Sequence, residues 1–292
     1  MRLRSADLRL PDAAGAAAFL ESVWGLVPAG KLGAARYFRG TGDHPYIFSL
    51  TESPSRAMGA VTFAGSPREV AEAEARARAG KHRVRSASAF DVPGGGGGFD
   101  VEGPEGHVYR LVAEEAKPAA LAGPDQPVQI THVVLNCRDV AALERFSVNV
   151  LGFRVSDRTR MMTFVRCNRK HHALAYAHAD ASTLNHVAFE MPGIDAAMRG
   201  LSRMREAGFD TVWGPGRHGP GNNVFNYFVA PFGAVIEYTA EVSEVGDDYK
   251  VGGPEDWKWP PGRIDHWGVS KKDVASISAA ERAWPFLPFD RI

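Results

Sequence analysis

Three segments from the first half of this chain recur, in the same order and at nearly the same spacing, in the second half. Residues 3–26 match residues 130–153. Both have alternating apolar residues, then an acidic residue (Asp12 or Asp139), a helical apolar period and a glycine (Gly25 or Gly152), set 127 positions apart. Residues 59–80 match 185–208, with Phe63 against Phe189 at a spacing of 126 and a helix ending in Ala-Gly after each. Residues 103–114 match 230–241, again at 127. A repeat at fixed spacing implies a supersecondary unit used more than once, which tightly limits the folds available.

Within each half the order is strand, helix, then strands, and it runs twice. Apolar alternation at Ile130, Val133 and Leu135 predicts a half-buried strand. Asp139 is the predicted N-cap of a helix through Val140, Leu143, Phe146 and Val150, with Gly152 as its closing residue. Strands follow over 162–167 and 173–177. A second unit starts at 184–190, its helix covers about 194–206 and ends at Gly208, and strands at 223–230 and 234–239 complete it. The expected fold class is α+β, with a first domain over 1–116, an Ala/Pro/Gly linker over 117–127 and a second domain over 128–245. Residues 246–292, rich in Trp and Pro, are expected to pack as a tail on the second domain. The glycine run 94–98 lacks the Lys-Ser/Thr and following helix of a phosphate loop, and reads as a flexible hairpin tip.

Composition removes several function classes. With 34 basic and 34 acidic residues the net charge is zero, and no long basic run offers a footprint for nucleic acid. No stretch approaches the roughly 18 apolar residues of a membrane span. Arginines break up the first ten residues, so no secretory leader is expected. Two cysteines, Cys137 and Cys167, read as small core residues of a reduced, cytoplasmic protein.

The second half also carries a polar set that the first lacks. His132, His186 and Glu237 each lie in an apolar strand segment, where an inward-facing imidazole or carboxylate must be paired or metal-bound. Two histidines and one carboxylate form the facial ligand set of non-haem Fe(II) oxygenases, which leaves positions open for substrate and dioxygen. Matched positions in the first half hold Ser5, Ala60 and Arg110, which make no metal set. One half is therefore expected to do the chemistry while the other supports it. His44, His82, His107 and His266 lack ligand-like neighbours and read as surface or loop residues, and His178 precedes a turn.

The segments Arg-Cys-Asn-Arg-Lys-His-His-Ala-Leu-Ala (166–175), Leu-Asn-His-Val-Ala-Phe-Glu (184–190), Gly-Arg-His (216–218), Asn-Tyr-Phe (226–228) and Ile-Glu-Tyr (236–238) carry a family resemblance. In motif order the chain resembles the two-domain type I extradiol dioxygenases of the vicinal oxygen chelate superfamily. That resemblance implies two βαβββ modules per domain, a non-catalytic first domain and a homo-oligomer. It implies Fe(II), with Mn(II) able to substitute, on His132, His186 and Glu237, acting on a small aromatic diol and O2. By the same resemblance His172 is the acid/base residue; adjacent strand residues face opposite ways, and its neighbour His171 is the one expected to point away. His218 stands beside the substrate hydroxyl, and Tyr227 hydrogen-bonds the bound diol. Asp265-His266-Trp267 resembles a C-terminal stretch of these enzymes that would cover one side of the site. Two alternatives stay open: another metal enzyme of the superfamily such as a glyoxalase-like isomerase, or a non-catalytic small-molecule binding protein. A ligand triad contained in one half favours the dioxygenase.

Overall fold

In the computed structural model each half builds one eight-stranded mixed sheet, and the two sheets share one strand order. The structure describes residues 1–113 and 115–292, and Glu114, which ends the third repeat segment, lies outside them. The first sheet comes from two βαβββ modules. One is β1 (Arg2–Leu10), α1 (Ala13–Phe19), β2 (Val27–Leu32), β3 (Ala35–Arg39) and β4 (Phe48–Glu52). The other is β5 (Ala57–Gly65), α2 (Pro67–Ala79), β6 (Val84–Ala87), β7 (Gly97–Glu102) and β8 (Val108–Ala113). The second sheet repeats the pattern with β9 (Gln129–Cys137), α3 (Val140–Phe146), β10 (Arg154–Arg158), β11 (Met162–Arg166) and β12 (Leu174–His178). Its other module is β13 (Thr183–Glu190), α4 (Ile194–Glu206), β14 (Trp213–Arg217), β15 (Val224–Val229) and β16 (Val235–Ala240). In each sheet the modules join through their first strands, β1 with β5 and β9 with β13, both antiparallel. This is the α+β class and module plan expected from the sequence.

The repeat extends to single turns. Asp12 and Asp139 each cap a helix, accepting the N–H of Gly15 and Ala142. Both helices then widen into a π-type turn, Leu20–Trp24 and Ser147–Leu151, ended by Gly25 at φ 90° and Gly152 at φ 77°. Those left-handed positions favour glycine because it has no Cβ to clash. The halves bury these helices against one another. Trp24 stacks on Tyr238 at 3.6 Å, the Arg203 Nε donates to the Val23 carbonyl at 2.7 Å, and the Tyr109 and Tyr176 hydroxyls meet at 2.7 Å. One continuous apolar core results.

Four expectations need correction. β9 is buried along both faces rather than one, because Val133, Leu135 and Cys137 enter the core while His132, Val134 and Asn136 face a covered cavity. The glycine run is not a loose tip: Gly97 and Gly98 belong to β7, and a Cβ on Gly98 would lie 1.9 Å from the Leu111 carbonyl oxygen. The tail lies partly on the first sheet. Helix α5 (Val274–Arg282) rests on the second sheet, but Met58 exchanges backbone hydrogen bonds with Pro285 and Leu287, and Phe289 packs on Ala60 and Val108. Apolar Phe286, Leu287 and Phe289 gain cover there that solvent cannot give. Finally, His44 and His107 are buried, not superficial, and the opposite half and the tail close over the His107 turn. Among the described residues no helix is long and apolar enough to cross a membrane.

Candidate metal centre

Register across the second sheet assembles the site. Ala188 on β13 pairs with His132 on β9 and with Glu237 on β16, and Glu237 pairs in turn with Tyr227 on β15. Directly paired residues project to the same face, so His132, Ala188, Glu237 and Tyr227 form one transverse row. His186 is two residues before Ala188 and shares that face. A bulge between Leu184 and His186 bends β13 at this point. Ala188, which stands between His132 and Glu237 in the row, carries only a methyl group.

Both imidazoles close on Glu237. The Nε2 atoms of His132 and His186 lie 3.2 Å and 3.1 Å from its Oε2. One ligand atom from each of the three residues lies within 4.8 Å of the others, and all three residues are buried. Glu237 Oε1 is reached by Asn223 Nδ2 at 3.4 Å. Burial alone would raise the Glu237 carboxyl, but the neighbouring His132 and His186 hold it well below the usual carboxylate range. Burial pushes His186 down despite the opposing pull of Glu237. The Asn185 amide donates to Asn136 Oδ1 at 2.8 Å, so its Oδ1 faces His186 Nδ1 at 2.6 Å and accepts that N–H. The proton is thereby fixed on Nδ1, and the Nε2 lone pair is turned toward Glu237. Among the described residues His186 Nε2 has no hydrogen-bond partner. A buried carboxylate oxygen beside two imidazole nitrogens, one of them with its lone pair fixed toward it, fits a divalent cation of the Fe or Mn kind.

A cavity of about 820 Å³ opens above this row. His172 lines it, with its ring 4.2 Å from that of His132; His171 does not line it and bonds to Asp157 instead. Burial, reinforced by the neighbouring His132, His171 and His218, pushes His172 well below the ordinary histidine value. His218 Nε2 meets the Tyr227 hydroxyl at 2.9 Å. Burial takes His218 down to about 3, and burial with nearby Glu237 holds the Tyr227 phenol well above its usual value.

Folding adds wall residues that sequence motifs did not reveal. Trp257, Trp259 and Ile264 come from the tail, and Lys272 places its ammonium 4.7 Å from the Trp213 ring. Asn136, Asn185 and Glu281 complete a polar edge. Trp267 lies outside the wall, under the Arg217 guanidinium, so the tail covers the site through other residues than the Asp265–Trp267 stretch. In the first sheet the matching row is Ser5, Thr62, Arg110 and Asp100. There Arg110 clamps Asp100 through two hydrogen bonds, of 2.7 and 3.1 Å, which an ion pair explains without a metal.

The sequence model of the Glyoxalase/Bleomycin resistance protein/Dioxygenase superfamily matches residues 129–238, from β9 into β16. In solved structures the chain is similar to the Mn(II)-bound glyoxalase from Novosphingobium aromaticivorans, at 34% identity over 94% of this chain and 93% of that one, with a TM-score of 0.86. The chain belongs to this superfamily. Homoprotocatechuate 2,3-dioxygenase from Arthrobacter globiformis, 23% identical, has the same fold, with a TM-score of 0.86 over 99% of this chain and 93% of that one. Metapyrocatechase 2 of Cupriavidus necator is 31% identical over 139 residues, covering 47% of this chain and 41% of the relative. The chain spans only 41% to 53% of the length of the curated relatives it matches, two of which bear dioxygenase names.

Proposed function

We propose that this superfamily member is an extradiol dioxygenase, opening a catechol-type ring beside its two hydroxyls and incorporating both atoms of O2. The observation that carries the reading is the row of His132, His186 and Glu237 beneath a cavity that also holds His172 and the His218–Tyr227 pair. His132, His186 and Glu237 would hold Fe(II), with Mn(II) as the alternative. A bound divalent ion supplies Lewis acidity for the vicinal hydroxyls and a path for electron density from the ring toward dioxygen. His172, neutral through burial, takes a hydroxyl proton. The Tyr227 phenol, kept protonated, donates a hydrogen bond to a substrate oxygen while His218 fixes its direction. Apolar walls such as Val134, Phe164 and Trp259 pack the ring and exclude water.

The similarity to a Mn(II)-bound glyoxalase favours one rival, a metal-dependent isomerase. Oxygen consumption separates the two. Protein reconstituted anaerobically with Fe(II) or Mn(II) is expected to take up O2 with catechol, substituted catechols or 2,3-dihydroxybiphenyl and to form a yellow product. It is expected to leave an α-keto aldehyde with glutathione unchanged. His186→Ala is expected to lose bound metal and turnover together. Undiminished turnover in that variant, or isomerase activity without O2 uptake, would reject the reading.

A further inference from the structure

Behind His172, on the side away from the cavity, a buried chain of hydrogen bonds runs from His172 Nδ1 to His171 Nδ1 at 3.0 Å. It continues from His171 Nε2 to Asp157 Oδ2 at 2.6 Å. We propose that Asp157 and His171 are positioning residues that hold His172 in the tautomer with its proton on Nδ1, leaving the Nε2 lone pair to face the substrate. The inference rests on His172 being the acid/base group of the proposed reaction.

The direction of the chain follows from its anchored end. Asp157 is fully buried on β10, and its Oδ1 accepts the Gly252 backbone N–H at 2.7 Å. A backbone amide can only donate, so that oxygen is an acceptor. Oδ2 accepts the Tyr249 hydroxyl at 3.0 Å. With both oxygens accepting, His171 Nε2 carries a proton and donates it. In a neutral imidazole the other nitrogen then holds a lone pair. His171 Nδ1 therefore accepts, and among the described residues the group positioned to supply a proton to it is His172 Nδ1–H. The remaining nitrogen of His172, Nε2, is the base, in a ring that lines the cavity.

Two further contacts hold this geometry. The His171 backbone N–H donates to the Ser243 carbonyl at 2.8 Å, and Ser243 N–H donates to the Gly221 carbonyl at 2.9 Å. Gly221, at φ +78°, lies against the bond between the two rings. A Cβ there would stand 3.0 Å from His172 Cε1 and 3.2 Å from His171 Nδ1, so glycine alone lets the loop close over it.

Asp157→Asn reverses the chain. The amide oxygen must stay with the Gly252 N–H, so its NH2 turns to His171 Nε2, which becomes an acceptor. His171 Nδ1 then donates, His172 Nδ1 accepts, and the proton moves to Nε2, where the base is lost. Long-range 1H–15N correlation on metal-free protein labelled at histidine reads the tautomer directly, without reference to turnover. Wild-type protein is expected to show His172 protonated on Nδ1, and Asp157→Asn is expected to shift it to Nε2. In the metal-loaded enzyme, kcat is expected to fall by about tenfold or more in Asp157→Asn and His171→Leu, with KM within about threefold. His171→Asn, which can keep an amide oxygen where Nδ1 lies, is expected to recover a good part of the loss in His171→Leu. An Nε2-protonated His172 in the wild type would overturn the proposal. So would full kcat in Asp157→Asn and His171→Leu alongside a crippled His172→Gln. Full turnover in His172→Gln would instead remove the acid/base reading beneath it, while the tautomer spectrum still decides the chain.

Discussion

Asn185 illustrates how one polar side chain beside a candidate ligand can set what that ligand does. Its amide N–H is committed to Asn136, so its oxygen takes the proton of His186 Nδ1 and turns Nε2 toward Glu237. A histidine held this way keeps both its tautomer and its ring plane before any cation arrives, and such outer partners typically govern metal affinity by about 10- to 100-fold. Asn185→Ala is therefore expected to weaken Mn(II) binding by at least about tenfold in competition with a chromophoric chelator. Asn185→Asp, which keeps the acceptor, is expected to lose less. Equal affinity across the three proteins would show that His186 is oriented by its strand alone.

At the scale of elements, what was legible in the sequence followed regular periods. The α3 helix, its Asp139 cap and its Gly152 stop could be read because a helical period runs between two recognisable ends. Edge strands β10 (Arg-Val-Ser-Asp-Arg) and β14 (Trp-Gly-Pro-Gly-Arg) were not read, since charge and glycine interrupt their alternation. The candidate ligands stood out because the first half holds Ser5, Ala60 and Arg110 in their places. Asp157 and Lys272 did not, because an edge strand and the tail reach the site only through tertiary folding. β16 shows why alternation matters to the site: Glu237 faces the donors, while the next residue, Tyr238, turns to the core under Trp24. Trp24 belongs to the opposite half, so that half steadies the strand that carries the carboxylate. Trp24→Ala is expected to cost about 3–5 kcal/mol, read as a lower urea midpoint. A loss under about 1 kcal/mol would mean that β16 needs no support from the first half.

The molecule as a whole is built from two sheets of one design that use the same row differently. The first spends its equivalent row on the Arg110–Asp100 ion pair, and the second leaves that row open to a cavity. The tail then fastens the two together, and His107 sits where they meet. Its ring lies against Tyr109 of the first half, Phe146 of the second and Phe286 of the tail, with centroid separations of 4.8, 6.4 and 5.5 Å. Neither ring nitrogen has a hydrogen-bond partner among the described residues, and burial lowers the imidazole from 6.5 to about 4. Between those two values the unfolded chain binds a proton that the folded protein refuses. Stability from this residue is thus fully present above about pH 6.5 and is lost as the pH falls toward 4. Going from pH 7.5 to 5 should cost roughly 2 kcal/mol through His107. Between the two pH values the urea midpoint is expected to fall further in wild-type protein than in His107→Leu, by that free energy divided by the urea m-value. The variant is also expected to be the more stable of the two at pH 5, since it buries no unpartnered nitrogen. Equal acid sensitivity in both proteins would move the origin of any acid lability away from the junction and toward the histidines around Glu237.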